Sequence, residues 1–197
     1  MDDLLNWNNQ THSVSASISY KLSILSRLSK TAPSSLLDIV YKTCIQPTID
    51  YGCTIWGNCS ISNKNMIHRL QKRAARIVTG NFDFINTRGD DLIEDLKWQT
   101  LDERVKYFLS TLMFKSIHGI APQWLCNHIL MVCEQHNRDT RLSNSMNVVV
   151  PRPNHEFFRS SFQYNGAVVW NELPEHVKEA STLENFKKMY KRHYYKR

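Results

Sequence analysis

Residues Asn63–Gly80 read NKNMIHRLQKRAARIVTG and combine an apolar face with a cationic face. At helical spacing the apolar face consists of Ile67, Leu70, Ala74 and Ile77. The cationic face follows the spacing i, i+3, i+4, i+7 and consists of Arg69, Lys72, Arg73 and Arg76. This pattern predicts an amphipathic helix that Asn63 or Asn65 could cap and that ends at Gly80.

The cationic face has two interpretations. Several cations on one helix face can contact the phosphates of a nucleic acid. A charged stripe can equally be a face that only meets solvent, which is the commoner case. Because residues 64–80 carry five Lys or Arg and no acid, we keep phosphate contact as the functional hypothesis.

The charge of the chain is local. The 197 residues carry a formal charge of +7, with 42% hydrophobic and 22% charged residues, which is a globular composition with enough apolar residues for one domain or two small ones. Residues 64–80 and 183–197 together carry +10, so the remainder nets −3. Two basic segments on a slightly acidic background favour binding to a polyanion.

Several other classes are disfavoured by the sequence. No apolar run approaches the length of a membrane span, and a start with two aspartates does not fit a signal peptide, so we expect no membrane partner. Five cysteines without paired spacing predict reduced thiols inside a cell, in the nucleus or the cytoplasm. The isolated glycines form no phosphate-binding loop, so we expect neither a cofactor nor a small-molecule substrate.

The periodicity predicts a mainly α-helical chain. Helices are expected at 13–28, 35–45, 63–80, 91–97, 101–118 and from Pro122 onward, with capping boxes at Thr100/Glu103 and Ser181/Glu184. Pro47 is expected to interrupt the second helix, and residues 1–12 to form a turn or a strand end. A strand is expected at most near 148–151. The predicted organisation is a helical domain at 13–134, a linker at 135–150 and an aromatic and basic segment at 151–197.

Asp90 and Asp91 follow a glycine and resemble the paired carboxylates with which polymerases hold two metal ions. That chemistry requires a β-hairpin, whereas this pair precedes the helical pattern LIEDL. Acids are favoured at the N-terminus of a helix. We therefore interpret the pair as the start of a helix.

Cys126, His128, Cys133 and His136 include the right residue types for zinc. We expect all four on one helix, where two of them would be badly placed for a common tetrahedron. The interpretation is that they are ordinary helix residues, and no metal site is predicted.

Two further groups allow more than one use. The aromatic residues around Phe157–Trp170 could stack bases or form a small core. The last helix is expected to bury one side and to expose basic residues that are weaker candidates for phosphate contact. These candidates are Lys187, Lys188 and Lys191.

The order of short motifs along the chain resembles the region downstream of the catalytic palm in reverse transcriptases of jockey-like non-LTR (LINE-type) retrotransposons. The motifs are Pro47-Thr48-Ile49-Asp50-Tyr51-Gly52, Trp56-Gly57, Leu70-Gln71-Lys72-Arg73-Ala74-Ala75-Arg76-Ile77, Leu96-x-Trp98, Gly119-x-Ala121-Pro122, Val150-Pro151, Trp170-Asn171-x-Leu173-Pro174 and Phe186-Lys187.

The resemblance implies a helical thumb that grips the template–primer duplex, followed by a C-terminal extension. It also implies that residues 1–12 are the remnant of a palm–thumb junction and that the fingers, the palm and their magnesium ions belong before Met1. The expected function is non-catalytic binding of an RNA–DNA hybrid or another nucleic acid. The alternative is a structural remnant of a truncated mobile element that packs against the upstream palm and fingers. A third hypothesis, an enzyme that uses Asp90 and Asp91, ranks last.

Overall fold

The computed structural model describes residues 6–135 and 146–195. Within these ranges the chain is mainly helical, as predicted. The β-structure of the described residues is limited to an isolated antiparallel bridge between Met131 and Val148, close to the position where a short strand was expected. Those residues also contain no helix with the length and apolarity that a bilayer crossing requires.

The chain folds as two compact units, and the boundary falls between Val105 and Lys106 inside one helix. The helices of the first unit are α1 (Asn8–Leu28), α2 (Ser34–Val40), a π-helical turn (Tyr41–Ile45), α3 (Gln46–Asp50), α4 (Cys53–Trp56), α5 (Ile61–Thr79), α6 (Gly89–Asp95) and the start of α7 (Leu101–Ile117). The helices of the second unit, after the remainder of α7, are α8 (Gln123–Cys126), α9 (Val132–Gln135), α10 (Glu156–Arg159), α11 (Phe162–Asn171), α12 (Glu175–Lys178) and α13 (Leu183–Tyr194).

Helix α1 begins earlier than predicted. We expected a turn or a strand end up to residue 12, but α1 starts at Asn8, so this prediction is wrong for residues 8–12. The amide of Asn63 on α5 donates to the Asn8 side chain at 2.8 Å and to the Asn6 carbonyl at 3.5 Å. A tertiary contact therefore supports a polar helix start that has little local signal of its own.

Pro47 does not interrupt the second helix. It lies in the first turn of α3, and the chain reaches it through the π-helical turn at Tyr41–Ile45. Proline lacks the N–H group that an α-helix would need at this position. The wider turn changes the hydrogen-bond register, so the helical path continues to Asp50.

Trp98 belongs to the buried core of the first unit. Its ring stacks on Tyr41 with centroids 3.5 Å apart, and its indole N–H donates to Asp38 at 2.7 Å. Gly57 is required by close packing, since a Cβ there would lie 2.3 Å from both the Cys53 carbonyl and a Val105 methyl.

Aromatic rings dominate the core of the second unit. Phe114 and Phe186 stack with centroids 4.7 Å apart, and Trp170 is fully buried. The indole N–H of Trp170 donates to the Met146 carbonyl at 2.7 Å, which ties residue 146 to α11.

The two capping boxes have different outcomes. Thr100 and Glu103 form theirs as predicted, with the Thr100 N–H donating to the Glu103 carboxylate at 2.9 Å. At α13 the prediction is wrong by one residue, because Thr182 rather than Ser181 is the N-cap and accepts from the Asn185 N–H.

The domain limits deduced from the sequence, 13–134, 135–150 and 151–197, stay predictions. Residues 1–5 of the expected junction and 136–145 of the expected linker lie outside the described residues.

Candidate nucleic-acid interface

Helix α5 presents the cations predicted from the sequence. Ser60 caps its N-terminus by accepting from the Asn63 N–H, so neither Asn63 nor Asn65 is the cap. Gly80 ends the helix with φ +69°, as predicted. Of the predicted apolar face, Ile67, Ala74 and Ile77 are buried and Leu70 is half-buried, which fixes the rotation of the helix.

Arg69 and Arg73 lie one helical turn apart and are exposed. Neither guanidinium forms an ion pair with any residue in the described part of the chain. The planar fork of N–H donors on each guanidinium suits bidentate contact with phosphate.

Lys72 is engaged with a carboxylate. Its ammonium lies 2.8 Å from Asp90 Oδ2, and His68 Nε2 lies 2.7 Å from Asp90 Oδ1. The hydrogen bond from Lys72, assisted by His68, holds the pKa of Asp90 below its usual value despite partial desolvation. Gly89 permits this contact, because a Cβ there would lie 2.9 Å from the Lys72 side chain.

Arg76 does not reach outward as the sequence pattern suggested. It is 8% exposed, and its guanidinium donates to the main-chain carbonyls of Asn81, Asp83 and Thr87 at 3.3, 3.0 and 2.8 Å. The same group lies 4.2 Å from the centroid of the Phe84 ring. Its main role in the structure is to hold the loop between α5 and α6.

All four predicted cations nevertheless line one groove of about 460 Å³. The remaining lining residues are Phe82, Phe84 and Gly89. Since Asp90 offsets the charge of Lys72, the groove keeps a net positive charge supplied mainly by three arginines. Concave cationic surfaces concentrate field lines and attract anions.

The C-terminal candidates form a less convincing site. Lys188 and Lys191 are exposed, whereas Lys187 is half-buried. The Lys191 ammonium lies 5.7 Å from the centroid of the Tyr107 ring, at the long end of a cation–π contact. Their role in phosphate contact stays a prediction.

Asp90 and Asp91 lie in the first turn of α6, as predicted for the start of a helix. The zinc-like group is arranged differently from the expectation of one continuous helix: Cys126 ends α8, Cys133 lies in α9, and His136 is outside the described residues. In the part of the chain that is described, no three His, Cys, Asp or Glu side chains gather around a common metal position. The five cysteines carry no disulfide.

Sequence reasoning missed the aromatic half of the groove. The sequence analysis assigned no role to Phe82 and Phe84, yet they are 58% and 74% exposed and line the groove together with the arginines. The alternation of Phe82 and Phe84 with Asn81 and Asp83 in a polar loop was the available signal. Large apolar side chains in such a loop have no core of their own to enter.

Comparison with known proteins relates part of this chain to retrotransposon RNA-directed DNA polymerases. It is 37% identical over 82 residues to the "Probable RNA-directed DNA polymerase from transposon X-element" of Drosophila melanogaster, covering 42% of this chain and 9% of that protein. It is 39% identical over 66 residues to the "Probable RNA-directed DNA polymerase from transposon BS" of the same organism, covering 34% of this chain and 7% of that protein. The match thus spans less than a tenth of either relative. No family model and no solved structure matches the chain.

Proposed function

We propose that this chain is a non-catalytic, nucleic-acid-binding part of a reverse transcriptase from a jockey-like non-LTR retrotransposon. Its first unit acts as a thumb that holds the template–primer hybrid. Polymerisation and its magnesium ions then belong to fingers and palm outside the 197 residues. The partial identity to transposon RNA-directed DNA polymerases supports the assignment of this chain to a polymerase of that kind.

One observation carries the binding role: two exposed arginines, which form no ion pair with any residue of 6–135 or 146–195, project from a helix whose opposite face is buried. Burial of the apolar face of α5 places Arg69 and Arg73 on the exposed side of the helix. A guanidinium that contacts phosphate releases condensed counterions, and this release does not depend on base sequence. Binding should therefore be insensitive to sequence and strongly sensitive to salt.

The experiment is fluorescence anisotropy of a labelled RNA–DNA hybrid with the full chain, titrated with salt. In the double variant Arg69→Gln, Arg73→Gln, the slope of log K against log salt should shrink by roughly 1.4 to 1.8, which corresponds to two lost phosphate contacts. The matched control is Arg27→Gln, Lys30→Gln, which removes the same charge from exposed positions of the same unit. A control variant that loses as much affinity as the arginine variant would refute a localised site.

The C-terminal lysines can be ranked in the same assay. A variant with Lys188→Gln and Lys191→Gln should lose less affinity than the Arg69, Arg73 variant, because Lys191 already faces an aromatic ring. A larger loss of affinity in the lysine variant would indicate that α13, rather than α5, carries the main contact surface.

The alternative is a structural role in which this surface packs against an acidic face of the polymerase palm. Failure of the wild-type chain to bind hybrid at low salt, together with capture by an upstream palm fragment, would favour that alternative. A primer-extension product made by this chain and lost in Asp90→Asn would instead favour the enzymatic hypothesis.

A further inference from the structure

The groove on the first unit has an aromatic wall in addition to its cations. Phe82 and Phe84 are both more than half exposed and line the same space of about 460 Å³ as Arg69 and Arg73. That volume lies within the range of small-ligand pockets, roughly 300 to 1,000 Å³, and can accept a nucleotide. Removing two phenyl rings from solvent would be favourable for any ligand that covers them.

The Phe84 ring is presented with one face already covered. The guanidinium of Arg76 lies against it, 4.2 Å from the ring centroid. With 74% of the residue still exposed, the remaining face is open to solvent. Arg76 cannot easily move away, since it donates to three carbonyls of the loop.

The loop is also ordered by its own contacts. The Asp83 carboxylate accepts from the N–H groups of Ile85 and Asn86 and from the Asn86 amide, at 2.9, 3.0 and 2.8 Å. These hydrogen bonds hold the pKa of Asp83 below its usual value, and the largest contribution comes from the Asn86 N–H. Asp83 is thus an anion near the groove, but it is not among the lining residues. Little ordering of this loop is needed when a ligand binds.

We infer that this groove binds an unpaired nucleotide of a single-stranded segment, with its base stacked on Phe84 and Phe82 and its phosphates on Arg69 and Arg73. The inference rests on the proposed nucleic-acid-binding function and specifies the form of the ligand. Bases inside a duplex are stacked on each other and offer no free face, whereas unpaired bases stack on exposed aromatic side chains beside cations.

The spacing of the cations fits such a strand. Arg69 and Arg73 are separated by four residues, or about 6 Å along the helix axis, so both can contact one stretch of backbone. An acidic protein segment would also satisfy the arginines. It would leave the two rings without a specific partner, so the aromatic wall favours a nucleic acid.

The experiment compares three labelled probes with the full chain: an oligo-uridine strand, a blunt RNA–DNA hybrid, and the same hybrid with a single-stranded extension. In the variant Phe82→Leu, Phe84→Leu, affinity for the strand and for the extended hybrid should fall at least about fivefold, which is the low end for the loss of one stacked base. Affinity for the blunt hybrid should stay within about twofold. The salt slope should not change, because no charge is removed.

Three controls make the result specific. Ile85→Ala alters an apolar residue of the same loop that is 93% exposed and does not line the groove, and should have no effect. Phe84→Tyr keeps an aromatic face and should retain binding. A 2-aminopurine base in the strand should change its fluorescence on binding to the wild type and much less with the leucine variant.

The outcomes separate the inference from the proposed function. Equal loss on all three probes, or no loss on any, overturns the stacking inference while the thumb proposal stands. Absence of binding to every probe refutes the thumb proposal itself. Polyglutamate that binds as tightly as the strand, with no effect of the leucine changes, would overturn the inference in favour of an acidic protein partner.

Discussion

Replacing Asp90 by asparagine should tighten nucleic-acid binding. Asp90 is the carboxylate that engages Lys72 at 2.8 Å, next to the cationic groove. Asparagine keeps the size and a hydrogen-bond acceptor but removes the negative charge. The Lys72 ammonium then becomes available to a phosphate, and the repulsion between Asp90 and an incoming strand is removed.

The magnitude follows from counting one additional phosphate contact. Each contact contributes about 0.7 to 0.9 to the slope of log K against log salt. The ratio of variant to wild-type affinity should therefore shrink by about threefold between 50 and 200 mM salt. The cost in stability is small: the Asp90 side chain is 44% exposed, and such pairs contribute roughly 0.5 kcal/mol.

The stability cost should also depend on pH in a defined direction. Because the pKa of Asp90 is lowered in the folded chain, its contribution is present above the pKa of an unfolded aspartate, about 3.9, and is lost as the pH falls through the folded pKa. The difference in unfolding free energy between wild type and Asp90→Asn should thus disappear in acid. Urea denaturation at several pH values measures this difference.

Anisotropy with the labelled hybrid, with Asp91→Asn as the control, measures the effect on binding. Asp91 is the neighbouring exposed acid and forms no ion pair with a described residue. Weaker binding by Asp90→Asn, or equal gains in both variants, would contradict the assignment of Lys72 to the binding groove. The enzymatic hypothesis makes a different prediction, loss of primer extension in Asp90→Asn, because a metal-binding carboxylate is needed for that reaction.

Two further predictions concern stability. Arg76→Ala should lower the free energy of unfolding by about 2 to 3 kcal/mol, since a buried charged donor to three carbonyls is lost. Arg76→Lys should restore little of this lost unfolding free energy in urea denaturation. Full restoration would show that a positive charge alone is sufficient to hold the loop. Burial raises the pKa of Cys53 and Tyr41, which makes the unfolding free energy fall with pH in alkaline solution. Lys178 acts in the opposite direction, because burial lowers its pKa in the folded chain, so its own contribution to the unfolding free energy should rise with pH just below about 10.4. This rise should be absent in Lys178→Met, and equal profiles would contradict it.

Helix α5 was predictable because its signals are local. The apolar stripe, the uninterrupted cations and the terminal Gly80 all lie within one short segment. Arg76 was misjudged for the opposite reason. Its partners are carbonyls of a loop that folds back onto the helix, and helical spacing contains no information about that path.

Other errors have equally specific causes. The start of α1 depends on Asn63, which is 55 residues away from Asn8 in the sequence. The path of the chain through Pro47 depends on the π-helical turn at Tyr41–Ile45, which no residue type predicts. Thr182 and Ser181 are neighbouring hydroxyl residues with similar capping preference, so residue type alone could not decide between them.

Arg76 fastens the loop that carries the two phenyl rings through the backbone of the loop. Arg76 recognises the carbonyl oxygens of residues 81, 83 and 87, which every amino acid possesses. The side chains of Phe82 and Phe84 accept none of these hydrogen bonds, so they can be exchanged without removing them. A designer could graft other aromatic, polar or charged groups at positions 82 and 84 and change what the groove accepts, while the hydrogen bonds that hold the loop stay the same.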